Sequence, residues 1–151
     1  MHFDLGRLGD VALPLLLAFA LALPLGWERG SGRASLGLRT LPVVAMGCCG
    51  FALLARGIQS ASAESLTRLL QGLMGGVGFI GGGAILKDKG SVKGLVTAAS
   101  VWNVSAIGVA VAYGWLEIAV TLSVLTFLAL LLLTPVAEKV EGIEMGHDPR
   151  R

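Results

Sequence analysis

Five long runs with almost no charge leave this chain little choice of solvent. They cover residues 11–27, 41–55, 69–86, 95–113 and 115–134. At about 1.5 Å per helical residue, four of them reach or approach the ~30 Å hydrocarbon thickness of a bilayer. The run 41–55 is the short one, and by length alone it could enter and leave by the same face. A water-soluble fold would have to hide all five. Of 151 residues, 54% are hydrophobic and only 15% charged, against about 25% charged in an ordinary soluble domain. Mean hydropathy is +0.78. The expected fold is all-α: a polytopic integral membrane protein with five transmembrane helices within residues 1–134, the glycine-rich third helix at its centre. Residues 135–151 are expected to form a short cytoplasmic tail. The lipid bilayer is the first partner, and a net charge of +2 gives no reason to expect nucleic acid.

Basic residues orient the spans. Arg7 precedes the first, Arg29, Arg33 and Arg39 follow it, and Arg56 and Arg68 follow the second. Lys87, Lys89 and Lys93 follow the third, and Lys139, Arg150 and Arg151 lie in the tail. Five crossings place nine on one side and three on the other. If the second run does not cross, the split falls to seven and five. The positive-inside rule therefore favours five crossings, N-terminus outside and C-terminus in the cytoplasm. Tyr113 and Trp115 then sit at the outer interface and Trp27 at the inner one, as aromatic belts do. Leu-Gly-Trp-Glu after the first run is a poor cleavage site, so that run is expected to stay as a helix.

The stretch GGVGFIGGGAILK, residues 75–87, contains G-x-G-x-x-G at Gly76, Gly78 and Gly81. A dinucleotide site needs a strand before that spacing, a helix after it and an acid about 20 residues on. Here one apolar run surrounds it, and Val101 and Trp102 occupy the acid's place. The glycines read instead as a helix surface. Gly72 and Gly76 form one GxxxG, Gly78 and Gly82 another, and Gln71, Gly75, Gly78 and Gly82 fall on one stripe. Leu73, Val77, Ile80 and Ala84 form the opposite stripe. Small residues let another backbone approach closely in lipid. The neighbour can belong to the same chain or a partner chain, and a homo-oligomer is expected. A second reading stays open: Gly81, Gly82 and Gly83 are weak helix and could unwind to line a small cavity.

Polar residues in the spans are few. Asn103 lies in the middle of the fourth, with Thr97 and Ser100 before it at helical spacing on one flank. A mid-bilayer asparagine needs a hydrogen-bond partner, as interhelical glue or as part of a pathway. Cys48 and Cys49 read as buried packing. His2 and His147 lie at opposite ends, on opposite sides of the membrane, and cannot share one metal site in a monomer. Glu28, with Arg29, closes the first run. In the five-span topology Glu28, Arg29, Arg39, Thr40, Gly81–Gly83, Lys93 and Thr97 all gather on the cytoplasmic rim. Such charges commonly snorkel and set topology. In a sharper reading, Glu28 pairs with Arg39 or Lys93 and anchors a site open to the cytoplasm. It is the only metal-ligand candidate on that rim. No Ser/His/Asp, Cys/His or zinc-ligand constellation is present, so no enzyme and no resident cofactor are expected.

Read in order, GWERG, GLRT, GGVGFIGGGAI and VKGLVTAASVWNVSAIGVAVAYG resemble the membrane domain of the MgtC/SapB family of bacterial inner-membrane proteins. The matching positions are Gly26, Glu28, Arg29, Gly37–Thr40, Gln71, Gly76, Gly78–Gly81, Gly83, Gly94, Leu95, Thr97–Ala99, Trp102 and Ala106–Gly108. The resemblance covers roughly residues 20–134. Leu41 departs from it, standing where the family often has an aromatic residue or His. Longer members carry a soluble C-terminal domain of the ACT type. Only 17 residues follow Thr134, so roles tied to that domain are not expected here. Glu138, Glu141 and Glu144 in that tail read as a solvated face. The resemblance implies a part in Mg²⁺ homeostasis or low-magnesium adaptation. Some relatives are thought to regulate other membrane machinery, including the ATP synthase and a magnesium-transport ATPase. The alternative is an oligomeric Mg²⁺ channel or carrier with Glu28 repeated around it.

Overall fold

The computed structural model describes residues 5–30, 37–57, 63–88 and 91–145. His2, Arg33, Lys89, His147 and the two C-terminal arginines lie outside the described residues, as do the side chains of Arg7, Arg29, Lys87 and everything beyond Pro135. Five helices form: α1 (Leu5–Gly30), α2 (Gly37–Gly57), α3 (Ala63–Gly83), α4 (Leu95–Ala112) and α5 (Leu116–Met145). A short antiparallel hairpin, β1 (Leu86–Asp88) and β2 (Ser91–Lys93), links α3 to α4. The chain is an all-helical membrane protein apart from that hairpin. Four segments are long and apolar enough to cross a bilayer: Leu8–Glu28, Gly37–Gly57, Leu95–Ala112 and Leu116–Pro135. The short second run is therefore a continuous helix of 21 residues, because Gly37–Thr40 and Arg56 extend it beyond its apolar centre.

Two expectations for the third run need correcting. The helix spans Ala63–Gly83 instead of 69–86, and the last residues of the run belong to the hairpin. At the end of the helix, where the second reading allowed unwinding, Gly81, Gly82 and Gly83 stay helical as its last turn, and Gly83 does line a small cavity. The chain closes behind them through Ala84 N–H bonds to the Ile80 and Gly81 carbonyls, both 3.1 Å. Carrying Glu64, Arg68 and Gln71 besides its glycines, α3 falls outside the four membrane-crossing segments.

The centre of the bundle is α4, not α3. It packs against all four other helices, and α1 with α2 forms the most extensive pair. Leu25, Leu41, Ala45, Cys49, Val101, Val104 and Ile107 make the core. Glycine sets how closely the helices meet, although not the glycines of α3. A Cβ built on Gly108 would lie 2.2 Å from the Ala45 carbonyl oxygen, so α4 and α2 touch backbone to backbone there. One on Gly26 would lie 3.0 Å from the Gly37 carbonyl oxygen, where α1 meets the start of α2. Ser123 donates to the Leu21 carbonyl at 2.7 Å and ties α5 to α1.

Helix ends fall into two groups. At one end, Arg56 of α2 donates to the carbonyl of Ala112 at the end of α4. Its guanidinium stands 6.0 Å from the Tyr113 ring centroid, and Tyr113 stacks on Trp115 at 5.4 Å. A cation suits the carbonyl-rich C-terminus of a helix. At the other end, α2 and α4 begin together and α3 finishes between them. Thus α2 and α4 run in the same direction and α3 carries the chain back.

Candidate functional site

The second group of ends holds the rim residues singled out from sequence. Thr40 of α2, Ile80 and Gly83 of α3, and Thr97 and Val101 of α4 line one cavity of about 140 Å³. Two helix N-termini and one C-terminus meet there, and the carbonyls of the last α3 turn are taken up by the N–H groups of Ala84 and Ile85. Gly81 lies beside it: a Cβ there would be 3.6 Å from the Ala98 carbonyl oxygen. Gly94, between β2 and α4, has φ +88° and passes against the Ala84 carbonyl.

Glu28 is turned toward a different neighbour. Its Oε1 lies 3.5 Å from Thr134 Oγ1 of α5, a hydroxyl that also donates to the Leu130 carbonyl at 2.5 Å. Arg39 and Lys93 are both exposed. Among the described residues the contact seen for the Glu28 carboxylate is the Thr134 hydroxyl, and no salt bridge to Arg39 or Lys93 accompanies it. The cause is packing: Gly26 lays the end of α1 against α2, and Glu28, two residues on, falls on the α5 side. The rim therefore separates into a threonine-lined cavity and a Glu28–Thr134 corner. The signal for Thr134 in the sequence is a hydroxyl that ends the fifth run at the depth of Glu28. Among the described residues no three His, Cys, Asp or Glu side chains come together. Mg²⁺ is held through one or two carboxylates and retained waters. In the corner the Glu28 carboxylate accepts from the Thr134 hydroxyl.

The polar residues of α4 divide in the same way. Thr97 faces the cavity. Ser100 and Asn103 instead line the groove between α4 and α5, so the three do not share one flank. Ser100 is buried and donates to the Val96 carbonyl at 2.8 Å. Trp102 faces the side of α3, lining a groove of about 310 Å³ with Met74 and Trp115. Cys48 and Cys49 are free and buried, as packing residues.

The glycine stripe faces outward. α3 packs chiefly on α4 and lightly on α2, and it buries only Val77 and Gly81. Cβ atoms added at Gly72, Gly75, Gly76, Gly78, Gly82 or Gly83 would meet nothing within 4 Å. Gln71, on the same stripe, is exposed. Between α3 and α2 a groove of about 520 Å³ opens, lined by Val43, Gly47, Phe51, Leu69, Gly76 and Ile80 among others. Of the two stripes read from sequence, the side of Val77 is thus the one turned to the bundle.

A profile of the MgtC family matches residues 15–139, from within α1 to within α5, and so includes the hairpin and both parts of the rim. The chain belongs to the MgtC family. Among curated proteins it is 36% identical to the uncharacterized protein slr0014 of Synechocystis, over 83% of this chain and 53% of that one. It is 33% identical to protein MgtC of Salmonella typhimurium, over 90% of this chain and 58% of that one. It is 37% identical to protein SrpB of Synechococcus elongatus, over 77% of this chain and 70% of that one. The chain thus spans little more than half the length of slr0014 and MgtC. No solved structure matches it. The family match covers Gly26, Gly94 and Gly108, the glycines that bring this bundle's backbones together.

Proposed function

We propose that the chain is a non-enzymatic protein of the bacterial inner membrane that serves magnesium homeostasis by docking on other membrane proteins, with α3 as the docking helix. The observation that carries this reading is the unpartnered glycine face of α3. In lipid, apolar surface gains nothing by leaving the acyl chains, so a smooth backbone surface earns its place by close van der Waals contact with another helix. The link to magnesium rests on membership of the family. A transporter or the ATP synthase is the kind of partner it suggests. Leucine at Gly78 or Gly82 should leave the detergent-solubilised protein as stable as before, or slightly more so, since glycine is the poorer helix former by ~1 kcal/mol. The same substitutions should abolish cross-links to partner proteins in native membranes. Cross-linking that survives both variants would remove α3 as the docking helix.

The topology proposed is five crossings, with the N-terminus outside and the C-terminus in the cytoplasm. Its support is geometric as well as electrostatic. That α2 and α4 run the same way side by side supports a return of the chain along α3, whose 21 residues give about 31 Å. A reporter fused after Arg151 should read as cytoplasmic; a periplasmic signal would reverse the assignment.

The Glu28–Thr134 corner favours a second reading, an oligomeric ion channel or carrier with Glu28 at its cytoplasmic side. Purified protein in liposomes separates the two. A docking regulator gives no Mg²⁺ flux above empty vesicles. Robust flux that Glu28→Gln abolishes would establish the carrier instead.

A further inference from the structure

We propose that the groove between α4 and α5 is the surface on which a second copy of this chain docks, held at mid-membrane by Asn103 and Thr126. This is independent of the role given to α3.

The groove has a volume of about 440 Å³, and its polar lining consists of Ser100, Asn103, Thr126 and Thr134. Ser100 and Thr134 satisfy their hydroxyls on carbonyls one turn back, at 2.8 and 2.5 Å. The other two do not. Neither the Asn103 amide nor the Thr126 hydroxyl forms a hydrogen bond among the described residues. Asn103 is at the middle of the segment Leu95–Ala112 and Thr126 at the middle of Leu116–Pro135. Both are half-buried, open to the groove and at one depth. In hydrocarbon a polar group without a partner is strongly disfavoured, so whatever fills the groove must offer donors and acceptors at the bilayer centre.

An acyl chain has neither donor nor acceptor. A second copy has both, at the required depth. Identically inserted chains related by a two-fold axis must have that axis along the membrane normal, so each residue meets residues of its own depth. An isologous interface then repeats every contact in both directions. Asn103 stands opposite the partner's Thr126, and Thr126 opposite the partner's Asn103. A carboxamide and a hydroxyl can each donate and accept, so the ring closes without a third component. A foreign helix would need a polar side chain placed by chance at the same level. Leu125, Leu132 and Leu133, each about 60% exposed, give α5 an apolar surface to pack around that ring.

Two differently tagged copies of the full chain, co-expressed and co-purified in mild detergent, test this. Self-association should weaken at least about tenfold in Asn103→Leu and survive in Asn103→Gln, which keeps the carboxamide. Should Asn103→Leu fail to fold, Thr126→Val removes one hydroxyl at nearly constant shape and should weaken association in the same direction. Gly82→Leu should leave it unchanged. Wild-type-like association in both Asn103→Leu and Thr126→Val overturns the proposal. So does loss of a different membrane protein from Asn103→Leu while self-association persists. Labelling of Asn103→Cys by a membrane-impermeant thiol reagent as fast as a loop cysteine also overturns it, since water would then fill the groove.

Discussion

Replacing Gly108 by alanine should cost the protein a large part of its stability. The added Cβ would lie 2.2 Å from the Ala45 carbonyl oxygen, 3.0 Å from its carbon and 3.0 Å from the Cys49 nitrogen. All three are backbone atoms of α2, so no side chain can swing aside. Relief requires α4 and α2 to separate by about 1 Å, and close-packed interiors resist such shifts at roughly 1–3 kcal/mol or more. The loss spreads because α4 packs on every other helix. Alanine is otherwise the better helix former by ~1 kcal/mol, which makes the sign of the effect informative. The same change at Gly78, where a Cβ meets nothing within 4 Å, should raise stability slightly. Thermal unfolding of the two variants in one detergent checks this. Equal midpoints for Gly108→Ala and Gly78→Ala would mean that the α2–α4 contact is not as close as described.

That contrast separates two uses of glycine that look alike in the sequence. The density of glycines at 72–83 drew attention to α3 and placed it at the centre. Density, however, reports a smooth surface without saying what covers it. A single glycine in an otherwise bulky apolar helix, such as Gly108 within AIGVAV, is the stronger sign of a backbone crossing inside the chain, because its neighbours all carry side chains. That the chain is built of five helices was legible from the charge-poor runs, four of which reach the length and apolarity of a membrane span. Their ends were less so, since Gly37–Thr40 and Ala63–Arg68 are polar or small yet helical. The rim was legible as a grouping because alternating spans force it, and Thr40, Thr97 and Gly83 do meet. Pairings within it were not. Whether Glu28 faces α2 or α5 depends on helix rotation, which Gly26 sets through a contact that no local pattern encodes. Asn103 was recognised as needing a partner, and helical spacing alone could not tell that it shares a groove with Thr126 instead of a flank with Thr97.

Substitution at Gly94 should be as damaging as at Gly108, through a different combination of causes. Gly94 sits between β2 and α4 with φ +88° and ψ 0°, the left-handed region that costs a residue with a Cβ about 1–2 kcal/mol. A Cβ there would also come within 2.0 Å of the Ala84 carbonyl oxygen and 3.0 Å of its carbon. Strain and close approach make different predictions for asparagine, which tolerates left-handed backbone better than alanine. If strain alone mattered, Gly94→Asn would recover much of the stability lost in Gly94→Ala. Because the Ala84 carbonyl follows directly on the last turn of α3, the collision should dominate and the two variants should be equally impaired. The consequence reaches the rim: moving Ala84 away from Gly94 displaces both it and Thr97 in the cavity they line with Thr40. Thermal unfolding of the two variants, with limited proteolysis of the 84–94 segment, gives the comparison. Early cleavage and matched destabilisation in both are expected, whereas rescue by asparagine would assign the whole effect to φ and leave the close approach without consequence.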